Sequence, residues 1–525
     1  MNTTPAPPGP RVYKRCANLL VALRKTQLPI AHVEPSSQRH VGRLPDHGHL
    51  SAERGVRTCA RAFLVLLLRA QLDLSLNSSR LYGGGFYSGS ASQYNATLLV
   101  ERSIARGTPA IVIASNYRLG PLGFPQGKEA EEEGALNLGI LDAKVALRWV
   151  HENIGAFGGD EKKVTVFGLS AGYIIANILM LDPEFSDLVR AAIMESGWAA
   201  SSPLKLPAEN EAAWRSFVSG ISECGFALDD STTFACLRSL KGTEAILANI
   251  SPSEGAFGKE LFPFGPVLDG PGGVIPDLPS RLYARGNFAK LPTISGTVLD
   301  EGTLFIPELD ASFTTENIID FLVANFTSSL VDPDDLLQRI SELVSLYPED
   351  PSAGSPFGTG NETFGLHPGF KRLAALVGDI SFDSLRREWV QTSTAVGTPA
   401  YGFLFTEHAN YQAGEAPPLF GGELTPLQFS PVVHGADNWY QFGTENIRSP
   451  ADTVLATVIM DYWLSFATSL NPNDGLGSER PYWPAYDTKH KNLLRLEDDS
   501  IVAIRDDYRR DQLDFIARHP TIFHH

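Results

Sequence analysis

A serine between two glycines carries the clearest chemical signal in this sequence. Gly168-Leu169-Ser170-Ala171-Gly172 reads G-x-S-x-G and stands between the apolar run Val164–Phe167 and a stretch with helical character. A serine on such a strand-to-helix turn is held in a strained backbone conformation that exposes its hydroxyl, and side chains at the two glycine positions would collide with neighbouring elements. The amide of Ala171 would lie at a helix N-terminus, where the dipole favours a developing oxyanion. The motif therefore predicts a nucleophile at Ser170.

A run of glycines upstream could supply further donors to the same oxyanion. Gly83, Gly84 and Gly85 follow Leu81-Tyr82, and consecutive glycines let backbone N–H groups approach a ligand closely. A lone glycine run is usually a flexible turn. Upstream of an elbow serine, however, it is the expected second half of an oxyanion hole.

A nucleophilic serine also needs a base, and the base needs an orienting acid. If the three residues follow one another along the chain in the order serine, acid, histidine, the acid candidates are Asp300 and Glu301, which end a predicted strand. The base candidate is His434, in a loop with small neighbours. The chain has 12 histidines, so position alone is weak support for this one.

The elements that must position these residues alternate between strand and helix. Strands are predicted at Ala110–Ser115, Val164–Phe167, Ala191–Met194, Pro292–Val298 and Ala400–Phe405. Helices are predicted at Ile140–Ile154, with Leu141, Val145 and Trp149 on one face, and at about 171–181. This alternation predicts an α/β fold with a mainly parallel central sheet flanked by helices.

The composition is that of a soluble globular protein and excludes some partners. Of 525 residues 43% are hydrophobic and 20% charged, with a net charge of −17. An acidic chain is a poor ligand for nucleic acid or for an anionic membrane surface. The longest apolar run, Ala62–Leu68, is too short for the ~20 residues of a transmembrane helix. Nothing in the sequence calls for a metal or another cofactor.

The first eighty residues read differently from the rest. Residues 1–80 mix Pro-, Arg- and His-containing stretches without a sustained period, which predicts an atypical, disordered leader before a domain at 81–525. Only Ala62–Leu68 could form a strand, beside the glycine-rich loop. No apolar run of signal-peptide length occurs in Met1–Arg24.

Cysteines and glycosylation motifs bear on the compartment. Cys224 and Cys236 bracket a short polar loop, which allows either a local disulfide or two buried thiols. Six N-x-S/T motifs favour an extracellular glycoprotein, and they begin at Asn2, Asn77, Asn95, Asn249, Asn325 and Asn361.

From about Leu81 to the C-terminus the chain resembles the type-B carboxylesterase/lipase family, which has the α/β-hydrolase fold and includes cholinesterases and fungal lipases. The matching segments, in the family's order, are YGGGFYSGS, SNYRLGPLGF, LNLGILDAKVALRWVHENIGAFGGDEKKVTVFGLSAG, RAAIMESG, CLRSL, DEGTLF and HGADNWYQFG. The match between Asn137 and Gly172 is highly specific.

The resemblance implies a Ser-His-Glu triad of Ser170, His434 and Glu301, with Asp300 outside it. It also implies oxyanion donors at Gly84, Gly85 and Ala171, a serine that supports the triad at Ser196, and a disulfide between Cys224 and Cys236. Its further implications are a small-molecule or lipid ester as substrate, no cofactor, and secretion.

Three features depart from the family pattern. Leu169 occupies a position that is usually glutamate, which predicts an altered rate or pH response. Trp198 stands where smaller residues are common and would narrow the acyl side of the pocket. Residues 1–80 have no counterpart of the family's opening strands, so Cys16 and Cys59 are not paired by analogy.

The activity expected from these features is two-step acyl transfer to and from Ser170, which hydrolyses a carboxylic ester. One alternative is a catalytically impaired or non-catalytic binding protein of the same fold, against which the retention of all three triad residue types argues. Another is an intact site on a chain that folds poorly, because missing opening strands would leave a sheet edge uncovered. Neither the ester nor the oligomeric state can be read from the sequence.

Overall fold

The computed structural model describes residues 63–66, 76–240, 262–306, 313–327, 330–408, 432–443, 449–498 and 500–525. A nine-stranded sheet lies at the centre of these residues, in the order β1-β3-β2-β4-β5-β6-β7-β8-β9. The strands are β1 Phe63–Leu66, β2 Leu76–Leu81, β3 Ala110–Ser115, β4 Val164–Leu169, β5 Ala191–Glu195, β6 Thr293–Val298, β7 Ala400–Phe405, β8 Asn492–Leu496 and β9 Val502–Arg505.

The sheet is parallel except at its two ends. β1 pairs antiparallel with β3, and β9 pairs antiparallel with β8, whereas the pairs between them are parallel. The five strands predicted from apolar runs are confirmed, with bounds that shift by at most two residues. Their side chains are buried throughout, as both faces of a parallel sheet must be. The α/β-hydrolase fold expected from the sequence is therefore the observed one.

Helices cover both faces of this sheet. They are α1 Thr97–Ala105, α2 Gly120–Gly123, α3 Gly127–Glu132, α4 Leu138–Asn153, α5 Ala171–Leu179, α6 Glu211–Ser219, α7 Thr233–Ser239, α8 Pro279–Ala284, α9 Thr315–Phe326, α10 Pro333–Ser345, α11 Gly369–Gly378, α12 Ser384–Ala395, α13 Asn438–Phe442, α14 Pro450–Ser469 and α15 Arg510–Arg518. No helix in these ranges is long and apolar enough to cross a membrane.

The buried face of α4 differs from the predicted one. Leu141 and Val145 are 36% and 42% exposed, so the face expected from Leu141, Val145 and Trp149 is not the one that packs inward. Of the three predicted residues only Trp149 is buried, and the other buried residues, among them Ile140 and Leu147, lie on a different face of the helix. The helix has apolar residues on more than one face, and the face that packs inward is the one away from Leu141 and Val145.

Two strands lie before residue 81. β1 falls within the run Ala62–Leu68, as the sequence allowed, and β2 crosses the predicted boundary between residues 80 and 81. β2 also lies between β3 and β4 near the middle of the sheet. Most of residues 1–80, including Cys16 and Cys59, lie outside the described residues, so the division at residue 80 remains a prediction.

The loop between α6 and α7 is closed by a disulfide. Cys224 and Cys236 are joined, with their Cα atoms 5.7 Å apart, which decides between the bonded and the unbonded alternatives. Most of the enclosed residues lie at the surface. The bond therefore ties down a loop that has few core contacts of its own.

Candidate active site

Ser170 lies on a strained turn between β4 and α5. Its φ and ψ angles of 53° and −132° are unusual for a residue with a side chain. The neighbouring glycines permit this turn, because a Cβ on Gly168 would lie 2.8 Å from the Leu81 carbonyl oxygen and one on Gly172 only 2.3 Å from it. The Ser170 amide donates to the Glu195 carbonyl oxygen at 2.9 Å, which fixes the turn to the end of β5.

The glycine-rich loop after β2 lies directly against this turn. A Cβ on Gly83 would be 3.1 Å from the Cβ of Ser170, so only a glycine fits without displacing the serine. Gly84 and Gly85 have φ angles of 126° and 60°, and the Gly84 carbonyl accepts hydrogen bonds from the Tyr87 and Ser88 amides. The loop is thus a rigid, folded turn beside Ser170.

Glu301 is a buried carboxylate with three hydrogen-bonding partners. It follows β6 at the start of a short 3₁₀ helix, Glu301–Phe305, and is 1% exposed. Oε1 accepts from Ser196 Oγ at 2.6 Å and from the Val298 amide at 2.9 Å, and Oε2 lies 2.5 Å from His434 Nδ1. Ser196, Glu301 and His434 therefore form one hydrogen-bonded chain.

Asp300 has a different environment although it is the next residue. Its Oδ1 accepts from Ser355 Oγ and from the Phe357 amide, both at 2.9 Å, and so does not face His434. Burial raises the pKa of Asp300 to about 6, against the hydrogen bonds, which lower it. Its amide donates to the Val432 carbonyl at 3.1 Å, and this backbone bond holds the histidine loop beside the acid.

The His434 imidazole is oriented by a hydrogen bond at Nδ1, whereas its Nε2 is unpaired among the described residues. The ring is 2% exposed and lies between Phe305 and Phe382, with ring centroids 5.0 and 4.8 Å away. Its Nε2 is buried and has no hydrogen-bond partner among the described residues. With Nδ1 beside Glu301 Oε2, Nε2 is the nitrogen that can take up a proton.

A group of polar side chains, which we call the Arg80 cluster, comprises Arg80, Glu195, Asp437 and Asn438, of which the first three are buried. Burial raises the pKa of Glu195 to about 7, although Arg80 and a 2.7 Å hydrogen bond from Trp463 Nε1 lower it. Burial also raises the pKa of Asp437 well above its usual range, and the charges of Glu195 and Glu301 add to the effect.

The sequence offers no signal for Phe382, and Leu169 and Trp198 are the two departures from the family pattern whose surroundings the structure describes. Phe382, which covers His434, belongs to a one-turn π-helix at Asp379–Asp383, a distortion that is often found at functional sites. Leu169 is buried within β4 beside the nucleophile. Trp198 is also buried and lines a small cavity together with Tyr283 and Glu388.

One group of acidic side chains in the described residues could share a cation. Carboxylate oxygens of Glu407, Asp452 and Asp498 lie within 4.8 Å of one another. Protein donors already engage two of them, since the Asp498 amide donates to Glu407 at 2.8 Å and Tyr440 Oη donates to Asp452 at 2.8 Å. None of these residues is a candidate for the nucleophile, the base or the orienting acid.

Curated relatives of the chain include fungal lipases. The chain is 32% identical over 451 residues to "Secreted triacylglycerol lipase LIP1" of Gibberella zeae, an alignment that covers 83% of this chain and 70% of that protein. It is 33% identical over 440 residues to "Lipase 2" of Geotrichum candidum, with 82% and 71% covered. "Secreted lipase 1" of Botryotinia fuckeliana is 32% identical over 461 residues, with 85% and 73% covered.

Solved structures share the fold. Aspergillus niger EstA superposes with a TM-score of 0.69 at 22% identity, covering 86% of this chain and 82% of that one. The sequence model of the carboxylesterase family matches residues 80–516, which takes in β2 from Arg80 and all the triad candidates. The chain therefore belongs to the carboxylesterase family and is an enzyme of the carboxylic ester hydrolase class.

Proposed function

We propose that the chain hydrolyses carboxylic esters through an acyl-enzyme on Ser170, with His434 as base and Glu301 as the acid that orients it. The observation that carries the proposal is the buried chain Ser196–Glu301–His434, which leaves Nε2 as the free ring nitrogen. A carboxylate that already accepts two other hydrogen bonds is held in one orientation, so the ring it contacts is held as well.

The reaction takes two steps. His434 Nε2 removes the proton of the Ser170 hydroxyl as Oγ attacks the ester carbonyl, and the imidazolium then protonates the leaving alcohol. The amides of Gly84, Gly85 and Ala171 donate to the oxyanion, an assignment supported by the contact of the glycine loop with Ser170 and by the helix N-terminus at Ala171. In the second step water attacks the acyl-enzyme by the same route and releases the acid.

The substrate class we propose is a lipid or other carboxylic ester. Relatives named as a triacylglycerol lipase and as lipases support this, and two relatives named as secreted support a location outside the cell. The disulfide at Cys224–Cys236 agrees with an oxidising compartment. The buried indole of Trp198 is proposed to form part of the acyl wall, which would favour short acyl chains over long ones.

Covalent labelling tests the nucleophile. A fluorophosphonate probe should label Ser170 alone, as read by peptide mapping, and the first turnover of p-nitrophenyl butyrate should show a burst of nitrophenol that matches the labelled fraction. Ser170→Ala should abolish labelling and lower kcat by up to about 10⁶-fold, because serine and its base act as a unit.

The matched control is Ser103→Ala, which removes a buried hydroxyl from α1 that donates to the Val100 carbonyl. This variant should label and turn over like the parent chain. Label on another serine, or a folded parent chain that neither labels nor hydrolyses the ester, would refute the proposal. The second result would favour a binding protein of the same fold.

A further inference from the structure

Arg80 is a buried cation in a strand that leads straight to the oxyanion loop. It is the fifth residue of β2, three residues before Gly83, and only 1% exposed. Burying a guanidinium costs several kcal/mol unless charge and hydrogen-bond partners offset the loss of water. The contacts that offset this cost therefore indicate what the side chain is positioned to hold.

Three aromatic rings and two polar groups surround the guanidinium. Its carbon lies 4.4 Å from the ring centroid of Tyr94, 4.6 Å from that of Phe442 and 5.1 Å from that of Phe167, within the range of cation–π attraction. Nη1 lies 3.6 Å from Glu195 Oε2, and Nη2 donates to Asn438 Oδ1. The rings fix the plane of the guanidinium. Nη1 then faces the segment of Glu195, and Nη2 faces the segment of Asn438.

Those two segments carry the proposed catalytic groups. The backbone carbonyl oxygen of Glu195 accepts a hydrogen bond from the Ser170 amide. The next residue, Ser196, donates a hydrogen bond from Oγ to Glu301. Asn438 begins α13, four residues after His434 in the same short segment. A single side chain thus connects the strand of the oxyanion loop to the supports of the nucleophile, the acid and the base.

Charge gives Arg80 a second role at the same place. Glu195, Glu301 and Asp437 are three buried carboxyl groups, and the charges of Glu195 and Glu301 raise the pKa of Asp437. Arg80 pairs with Glu195, and its charge lowers the pKa of Asp437. Tyr173 of α5 and Tyr94 are the other titratable groups near Glu195 and Arg80. Without Arg80 the carboxyls would compete for protons with no buried cation to favour ionisation of Glu195.

We propose that Arg80 is a positioning residue for the reaction at Ser170. Its guanidinium pairs with Glu195 and, through Asn438, holds the segment of His434 in register with the turn at Ser170. The inference rests on the proposed function, since it assumes that Ser170, Glu301 and His434 are the reacting groups. It predicts an effect on kcat rather than on KM, because Arg80 is buried behind the triad and does not face the bound ester.

The test compares Arg80→Met with Arg387→Met. Arg387 is also a buried arginine, which donates to Asp506 at 3.0 Å and lies over the ring of Tyr508, but its contacts are with the segment after β9. Arg80→Met should lower kcat for p-nitrophenyl butyrate by about 10- to 100-fold with KM unchanged within about twofold, the scale expected for a small misplacement of a reacting group. The rate of fluorophosphonate labelling should fall in parallel.

Arg387→Met should lose comparable thermal stability and keep its kcat. Arg80→Lys, which restores the charge near Glu195 without the planar donor pair, should recover part of the kcat lost in Arg80→Met. Should Arg80→Met fail to fold, Glu195→Gln and Asn438→Leu remove the two partners separately, and each should lower kcat.

Parental kcat in folded Arg80→Met, or parental kcat in both partner variants, would overturn the inference. An equal loss of kcat in Arg387→Met would do so as well, because it would show that any buried arginine has this effect. These results differ from a failure of the proposed function, in which the parent chain itself would not label on Ser170.

Discussion

Two buried arginines stand in opposite electrostatic situations. Arg386, in α12, donates from Nη1 and Nη2 to both carboxylate oxygens of Asp506, at 2.5 and 2.8 Å, and from Nη2 to Tyr508. Arg80 meets one carboxylate at 3.6 Å, and its Nε and Nη1 have no hydrogen-bond partner among the described residues. Arg386 and its neighbour Arg387 both pair with Asp506, so the cations outnumber the carboxylate in that group. In the Arg80 cluster the carboxyls of Glu195 and Asp437 outnumber the single cation.

The pKa values follow this difference. Burial alone would raise the pKa of Asp506, but the charges and hydrogen bonds of Arg386 and Arg387 outweigh burial and hold it below its usual value. Glu195 is equally buried and has a pKa of about 7. The Asp506 group ties α12 to the segment after β9, away from the triad, and it is built for stability. The Arg80 cluster holds carboxyls whose pKa values are raised by burial, as is common at functional sites.

The largest expected effect separates the two adjacent acids Asp300 and Glu301. Glu301→Gln removes the charge that faces His434 Nδ1, and it should lower kcat by about 10⁴-fold, as the loss of a triad carboxylate does elsewhere. Asp300→Asn keeps an acceptor for Ser355 and the Phe357 amide, so its kcat should fall by less than about tenfold. Steady-state kinetics on both variants measures this, and the reverse order would move the acid to Asp300.

Asp300 and Glu301 also show how much of the candidate site can be predicted from the sequence. Asp300 and Glu301 both satisfied the chain order, and only the family resemblance favoured Glu301. The structure supplies a physical reason, since neighbouring residues at the end of β6 send their side chains to different partners. The Ser170 elbow and the strand before it were readable because apolar β-branched runs and obligatory glycines are local signals.

Other elements could not be read locally. β2 has the sequence LNSSRL, which is too polar to predict a strand, yet it lies between β3 and β4 because its neighbours supply the hydrogen bonds. β8 and β9 are short and partly exposed and were not predicted. Arg80 gave no signal at all, since its partners Glu195 and Asn438 are distant in sequence and meet it only after folding.

A second prediction concerns stability rather than rate. Asp506→Asn leaves two buried guanidinium groups with an uncharged partner and should lower the free energy of unfolding by about 3–5 kcal/mol. Asp437→Asn should cost less than about 1 kcal/mol, because burial raises the pKa of Asp437 well above its usual range and so already disfavours the charged form, and asparagine has nearly the shape of the carboxyl. Urea unfolding at pH 7 compares the two variants. Equal losses would mean that Asp437 is ionised and paired, which would remove the contrast between the two groups.

The smallest expected effect is the pH dependence of stability, which should have opposite signs in the two groups. The pKa of Glu195 is raised on folding, to about 7, so its contribution is fully present below the pKa of the unfolded chain and is lost as pH rises through about 7. The pKa of Asp506 is lowered on folding, so its contribution is present above the unfolded pKa and is lost as pH falls through the lower, folded value. Unfolding free energies measured from about pH 2 to pH 9 should therefore show that Glu195→Gln flattens the decline between about pH 4.5 and pH 7, while Asp506→Asn flattens the decline below about pH 4. A Glu195→Gln curve that runs parallel to the parent curve between pH 5 and pH 8 would mean that Arg80 keeps Glu195 ionised throughout this range, and the two groups would then be electrostatically alike.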